Sequence, residues 1–466
     1  MAKRVHMRER SAEERKKDFL QVNLGYNEKE AVEEAKRCLQ CKKPFCVEGC
    51  PVEINIPGFI KAIAEKKMES AVKIMKDKNN LPAVCGRVCP QEVQCEQKCI
   101  IGKKGEPVAI GNLERYVADW EKEHMSSHKK IFKNAPKNGI KVAVIGSGPA
   151  GLTCAGDLAR MGFDVTVFES LHSSGGVLRY GIPEFRLPKK VLDYEIEYLK
   201  NIGVNIIFNF LIGRTKSIED LFSEGFKAIF IGTGAGLPSF LNVPGENLNN
   251  IYSSNEFLVR VNLMGSYEFP EQDTPIYVGK NVAVIGGGNT AMDSARTALR
   301  LGAEEVTLVY RRSEAEMPAR IDEIKHAKEE GIKFMILTNP VKFIGDKKGF
   351  VQTMECVKME LGEPDESGRR RPKIIQGSNF SMPVDLVVLA VGLSPNPLLA
   401  SLTKGLETDE EGHLKVNEKQ MTSISGVFAG GDIVGGDTVI LAMGMGKKAA
   451  KEISNYLLNK EATSHQ

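Results

Sequence analysis

The chain has 466 residues, a formal net charge of +3 and 42% hydrophobic residues. That length suggests two to four domains with ordinary buried cores, and the charge is too small to argue for a nucleic-acid partner. The opening MAKRVHMRER is charged and lacks the apolar core of a signal peptide, and no run of about 18 apolar residues follows, so a cytoplasmic location off the membrane is expected.

Eight of the ten cysteines fall in the first hundred residues. One group reads Cys38-x2-Cys41-x4-Cys46-x3-Cys50-Pro51, the other Cys85-x3-Cys89-Pro90-x4-Cys95-x3-Cys99. Disulfides are unusual in a reducing cytosol, and clustered thiolates there bind metal or do redox work. Structural zinc takes paired C-x2–4-C knuckles. Four cysteines in one compact run before a proline follow instead the logic of the iron–sulfur run C-x2-C-x2-C-x3-C-P, with the second gap widened. Iron–sulfur clusters are therefore expected, with zinc and disulfides as the alternatives. Around the cysteines, EKEAVEEAKRCLQC and PGFIKAIAEKKMESAVKIMK repeat apolar residues at three and four, so this region reads as a small helical domain over 1–135.

A buried strand over 141–145 then leads into Gly146-x-Gly148-x-x-Gly151, a helix and a second strand ending in Glu169. This is the strand–turn–helix–strand unit of dinucleotide binding, with the acid about 20 residues on for a ribose hydroxyl. Gly146, Gly148, Pro149 and Ala150 would face the pyrophosphate at the helix N-terminus. The unit recurs at 281–313, where Gly286-x-Gly288-x-x-Ala291 keeps the turn with Gly287, Asn289 and Thr290 beside it. Its second strand ends in Tyr310, Arg311 and Arg312 rather than an acid, and arginines there suit a 2′-phosphate, so this site reads as NADP(H).

The stretch GVFAGGDIVGGD at 426–437 runs a strand into Gly431 and Asp432 and then, past Thr438, into a helix rich in Ala and Gly. That helix start suits the ribityl and pyrimidine end of a flavin, and Asp432 would accept from a ribityl hydroxyl. Gly176, Val177, Leu178, Gly181 and Ile182 would approach the ring, and Thr233 and Gly234 follow an apolar strand at one of two crossovers, 230–235 and 389–396. The order is then FAD, inserted NADP(H), FAD resumed, with boundaries at 136–272, 273–395 and 396–466. Cys154 and Cys356 read as packing residues, and PDESGRRRP at 364–372 as a solvated hairpin tip, with contact of its basic run to the 2′-phosphate as the alternative.

These motifs resemble a family over nearly the whole length. It comprises the iron–sulfur flavoproteins that include the small subunit of bacterial glutamate synthase, the N-terminal half of dihydropyrimidine dehydrogenase and the large subunit of NADH-dependent ferredoxin:NADP+ oxidoreductase. MRERSAEERKKDF, EAKRCLQCKKPFCVEGCPVEI and CGRVCPQEVQCE are similar to stretches of the last group. The resemblance implies an α/β, glutathione-reductase-like fold behind the helical domain, with FAD, NADP(H) and two [4Fe–4S] clusters. It implies Cys38, Cys41, Cys46 and Cys99 as ligands of one cluster. For the other it implies Cys50, Cys89, Cys95 and Glu114, leaving Cys85 as a packing thiol. It places Arg186, in PEFRLP, near the flavin as a catalytic residue. It implies reduction of ferredoxin by NADPH while a smaller subunit, bearing a flavin and a [2Fe–2S] cluster, handles NAD(H) by electron bifurcation; the alternative is the small subunit of NADPH-dependent glutamate synthase. Lys42, Lys43, Lys103 and Lys104 beside the ligand cysteines would either steer an acidic ferredoxin or only solvate their loops.

Overall fold

Short helices fill the first 125 residues because apolar residues recur there at three- and four-residue spacing. They span Glu28–Ala35, Ile56–Ala64, Met68–Lys76, Pro82–Val88 and Ile110–His124. Asn27 caps the first of these by accepting from Glu30 N while the Glu30 side chain reaches back. Asn55 accepts from Gly58 N at the start of the second, which has Pro57 in its first turn. The computed structural model describes residues 3–125, 131–132, 134–366 and 368–464. The helices bury Phe59, Ile63, Met75, Val84 and Leu113 in an interior that continues without a break into Val142, Leu152, Leu158 and Leu199. The helical region thus shares its core with the domain that follows.

That domain is built on a parallel sheet whose strands lie in the order Val427–Ala429, Phe226–Ile231, Lys141–Ile145, Asp164–Phe168, Asn205–Ile207. A second parallel sheet has the order Lys333–Ile336, Glu305–Tyr310, Asn281–Ile285, Leu386–Leu389, Ile251–Ser253. The expected insertion is present. Ala235–Pro238 and Leu393–Pro395 pair antiparallel where the chain leaves and re-enters the first domain. The expected boundary at 272 is corrected, because strand Ile251–Ser253 already belongs to the second sheet.

An antiparallel sheet, Thr338–Gly345, Val351–Pro364, Arg370–Ile374 and Phe380–Pro383, flanks the second domain. Its hairpin at 364–372 is anchored rather than merely solvated: Arg312 Nε donates to Arg370 O at 2.8 Å and Arg312 Nη2 to Asp365 Oδ2 at 2.6 Å. Cys154 and Cys356 are fully buried. Among the described residues no helix is long and apolar enough to cross a membrane.

Candidate cofactor sites

The first glycine turn is one that only glycine can make. Gly146 has φ +95°, and a Cβ there would lie 2.5 Å from Gly232 O; one on Gly151 would strike Gly146 O. Helix Pro149–Arg160 follows, with Pro149 at its first position. A Cβ on Gly148 would meet nothing within 4 Å, so the backbone faces open space beside the unpaired first-turn amides, as a pyrophosphate requires. Glu169 is buried at the end of the second strand. Its Oε2 accepts from Ser147 N and its Oε1 from Leu171 N, both at 2.9 Å, which fixes the carboxylate beside the glycine turn.

Two further segments close on this turn. Gly176, at φ +53°, passes so near that a Cβ would sit 2.8 Å from Gly148 Cα, and it starts the short helix Val177–Tyr180 that leads to Gly181 and Ile182. Gly431, at φ +86°, would put a Cβ 3.1 Å from that of Ala150 and so brings Asp432 over the same turn. Thr438 Oγ1 accepts from Leu441 N at 3.3 Å where helix Val439–Ser464 begins. Thr233 and Gly234 follow strand Phe226–Ile231, and a Cβ on Gly234 would meet nothing within 4 Å. Burial and Asp437 push the Asp432 carboxyl up to about 6. Burial, with Asp432 and Glu169, pushes Tyr180 up to about 12, so this tyrosine, which the sequence did not single out, lies in the field of both. A backbone cradle with a carboxylate near each end fits FAD.

The thiols sort into two groups. Cys38, Cys41, Cys46 and Cys99 line one small cavity. Burial pushes the Cys46 thiol up to about 12, with Cys99 and Cys38 adding to it. Cys50, Cys89 and Cys95 form the second group with Glu114 and Cys85. Burial raises Cys50 to about 11 with help from Glu114 and Cys85, and the Cys89 thiol is raised first by its hydrogen bond with Cys85 and then by burial. Burial pushes the Glu114 carboxyl up to about 8, and the group accepts from Asn79 Nδ2 at 2.7 Å. Cys85 Sγ lies 3.5 Å from Met443 Sδ and 3.8 Å from Asn79 Oδ1. The second group therefore holds five donors. No three of the eight thiols have all their sulfurs within 4.8 Å of one another. Soft thiolate donors gathered in two groups suit iron–sulfur clusters.

The second glycine turn repeats the first. Gly286 has φ +143°, and a Cβ on Gly287 would lie 2.7 Å from the Tyr310 ring. Helix Asn289–Arg300 follows; Asn289 Oδ1 accepts from Arg320 N at 3.0 Å, and Thr290 is exposed. Gly288 is open, with Pro318 its nearest neighbour at 3.9 Å. The two arginines expected for a 2′-phosphate part company. Arg311 is exposed, whereas Arg312 is buried and held by Asp365 and Arg370.

Arg186, expected near the flavin, is held by carboxylates of the inserted domain. Its Nη1 donates to Asp293 Oδ2 at 2.6 Å and its Nε lies 3.2 Å from Glu323, both in the inserted domain. The pair belongs to a larger buried network. Glu330 binds Arg296 and Arg300 within its own domain and Arg15 from the amino-terminal segment, the last at 2.9 Å. Arg320 Nη2 donates to Gln91 at 3.0 Å and its Nε lies 3.2 Å from Glu92, in the second cysteine loop. A signal for this network exists in the sequence: Asp293, Arg296 and Arg300 recur at helical spacing on a face that should be apolar.

Comparison with known proteins fits this geometry. Residues 15–126 match the model of dihydropyrimidine dehydrogenase domain II, 4Fe-4S cluster, and residues 140–447 that of pyridine nucleotide-disulphide oxidoreductase. The chain is 37% identical over 450 residues to the glutamate synthase [NADPH] small chain of Escherichia coli, covering 95% of each. It is 40% identical to the NADP(+)-dependent formate dehydrogenase subunit beta of Moorella thermoacetica, covering 89% of this chain and 60% of that one. Among solved structures, FprA of Mycobacterium tuberculosis in complex with NADPH superposes with TM-score 0.58 at 21% identity, over 70% of this chain and 86% of that one, a likeness of fold.

Proposed function

Because the chain belongs to the family of iron–sulfur, pyridine-nucleotide flavoproteins that includes the glutamate synthase small chain, we propose that it is the relay subunit of a larger redox complex. It is an NADPH-dependent oxidoreductase with FAD and [4Fe–4S] clusters. FAD, when bound, would supply the conversion between the two-electron hydride chemistry of NADPH and the single electrons that clusters carry. The chain's residues set the route. The first glycine turn, Glu169 and Asp432 hold FAD, the second turn with Arg311 holds NADPH, and the two donor groups hold the clusters.

One observation carries the direction of the relay. A Cβ on Gly444, in the helix that starts at the flavin cradle, would lie 2.8 Å from Pro51 O, next to Cys50. The second donor group therefore abuts the flavin helix. The first group lies outward, under exposed Leu39, Phe45 and Ile100 and among exposed Lys42, Lys43, Lys103 and Lys104. An apolar patch rimmed by lysines suits an acidic acceptor. In the reading we favour, that acceptor is ferredoxin, and a smaller subunit with a flavin and a [2Fe–2S] cluster serves NAD(H). The likeness to glutamate synthase small chains over 95% of the length favours a second reading, in which the same exit feeds a large amidotransferase subunit.

Purifying the native complex without oxygen and weighing its subunits separates the two. A small flavoprotein with a [2Fe–2S] cluster supports the transhydrogenase. A very large amidotransferase subunit would make this chain a glutamate synthase component.

A further inference from the structure

The segment that closes on the first glycine turn from Gly176 onward is a single turn of helix, Val177–Tyr180, ended by Gly181 N donating to Val177 O at 2.8 Å. One turn of helix is not stable alone. A lysine fixes it. Lys189 Nζ donates to Leu178 O and Leu187 O, each at 3.3 Å, and to Ile182 O. The three protons of one ammonium thus gather three carbonyls of one loop. The backbone N of Lys189 donates to Glu184 Oε2 at 2.9 Å and closes the base of the same loop.

This clamp leaves the charge of the ammonium unbalanced. Carbonyl oxygens offer dipoles only, and among the described residues no carboxylate forms an ion pair with Nζ. The charged groups around it have other partners. Arg179, on the short helix, pairs with Asp193 on the helix Lys189–Asn201 that Lys189 opens. Asp293, from the inserted domain, pairs with Arg186 at 2.6 Å. Glu184 holds the Lys189 backbone. A partly buried cation without a counter-ion is costly, and the cost is relieved where negative charge arrives. A flavin gains negative charge when it is reduced, and charge beside its ring tunes that reduction.

We propose that Lys189 is a positioning residue of the flavin site: its ammonium pins the loop that borders the ring and is the counter-charge to the reduced flavin. This rests on the reading that FAD lies in the cradle with its ring against Val177–Ile182. Burial, with Arg179 adding to it, lowers Lys189 from the usual lysine range to about 8, against the opposing pull of Glu184, Asp293 and Asp193. Below that pH the ammonium is already charged. Above it Nζ is a neutral amine, and negative charge on the flavin draws a proton to it. The hydride of NADPH brings both electrons and one proton to the ring; the further proton comes from solvent and rests on Nζ.

The test is the midpoint potential of FAD in the holoenzyme, followed by flavin absorbance over about pH 6 to 10, a range that brackets a lysine lowered to about 8. Flavin content and cluster absorbance report that each variant is folded. In wild type the reduction equilibrium takes up one more proton per electron pair above about pH 8 than below it, about tenfold per pH unit. Lys189→Met loses this break and disfavours reduced flavin about tenfold at neutral pH. Lys189→Arg, charged throughout, loses the break but keeps the neutral-pH potential. A wild type without the break, or a Lys189→Met variant that retains it, overturns the counter-charge. Ile182→Ala tests the premise separately, since a ring against the loop must register the loss in its absorbance. An Ile182→Ala variant with unmoved flavin absorbance overturns the placement of the ring, and the proposal with it. If Ile182→Ala moves the absorbance while Lys189→Met leaves the potential alone, the ring stands and the role of Lys189 falls.

Discussion

Glu114 carries much of the chemistry of the second donor group on one side chain. It is buried, its carboxyl is pushed up to about 8, and among the described residues its hydrogen-bond donor is Asn79. A buried carboxyl with a single neutral donor is costly when ionised, unless a cation neutralises it. An iron site of a cluster would do so, and Cys85 would then serve to pack against Met443. Glu114→Ala is expected to alter the EPR signal of one cluster, while Cys85→Ala leaves both signals intact; the reverse pattern would make Cys85 the ligand. The cysteines, the glycine turns and Glu169 were legible because their spacing is the chemistry. Glu114 was visible only through family resemblance, since one glutamate on a helix reads as a solvated face. The pairing of Arg186 with Asp293 was not legible, because the partner lies 107 residues away and nothing in PEFRLP encodes that distance.

The helix Val439–Ser464 shows what a single element can do between two cofactors. Its small residues let it be close on two sides at once. Gly446 would strike Ala150 O if it bore a Cβ, and Gly444 would strike Pro51 O. Met443 reaches Cys85 from the same turn. Its existence was plain from TVILAMGMGKKAAKEI, but its two contact faces were not, because they meet residues near 50 and 150 in the chain. Gly444→Ala must push the cysteine loop away from the flavin helix, at about 1–3 kcal/mol. The expected result is a lower thermal transition and slower cluster reduction by NADPH, followed by EPR, with flavin bleaching unchanged. Equal slowing of both steps would mean that the glycine serves packing alone.

At the scale of the molecule, the buried ion network joins what the linear order separates. Arg15, Arg186 and Glu92 come from the amino-terminal segment, the flavin domain and the cysteine loops, and all three end on the inserted domain. Burial alone would raise the Glu323 carboxyl, but Arg186 and Arg296 outweigh it and hold it at about 2. Its folded value is depressed from an ordinary 4.5, so its stabilisation is complete above about 4.5 and lost as the pH falls towards 2. Acid should therefore loosen the inserted domain first, seen as protease cleavage near 239–250 before flavin release. Glu330→Gln leaves three arginines short of a buried counter-charge and should cost about 3–5 kcal/mol at neutral pH. A variant as stable as wild type would show that the network is dispensable.

The same network bears on how the nicotinamide and the flavin meet. Two-domain flavoproteins joined only by a pair of crossover strands are free to pivot there. Here Ala235–Pro238 and Leu393–Pro395 form such a pivot, yet the inserted domain is also moored at Glu330 to Arg15 and at Arg320 to Glu92. Swinging it would tear charges out of their buried pairings, a penalty of several kcal/mol for each. The first twenty residues, which hold no cofactor ligand, are in this light a brace. Cutting them away would remove the Arg15 mooring and leave the inserted domain held by Arg320 to Glu92 and by Arg186 to Asp293, a looser joint rather than a free hinge.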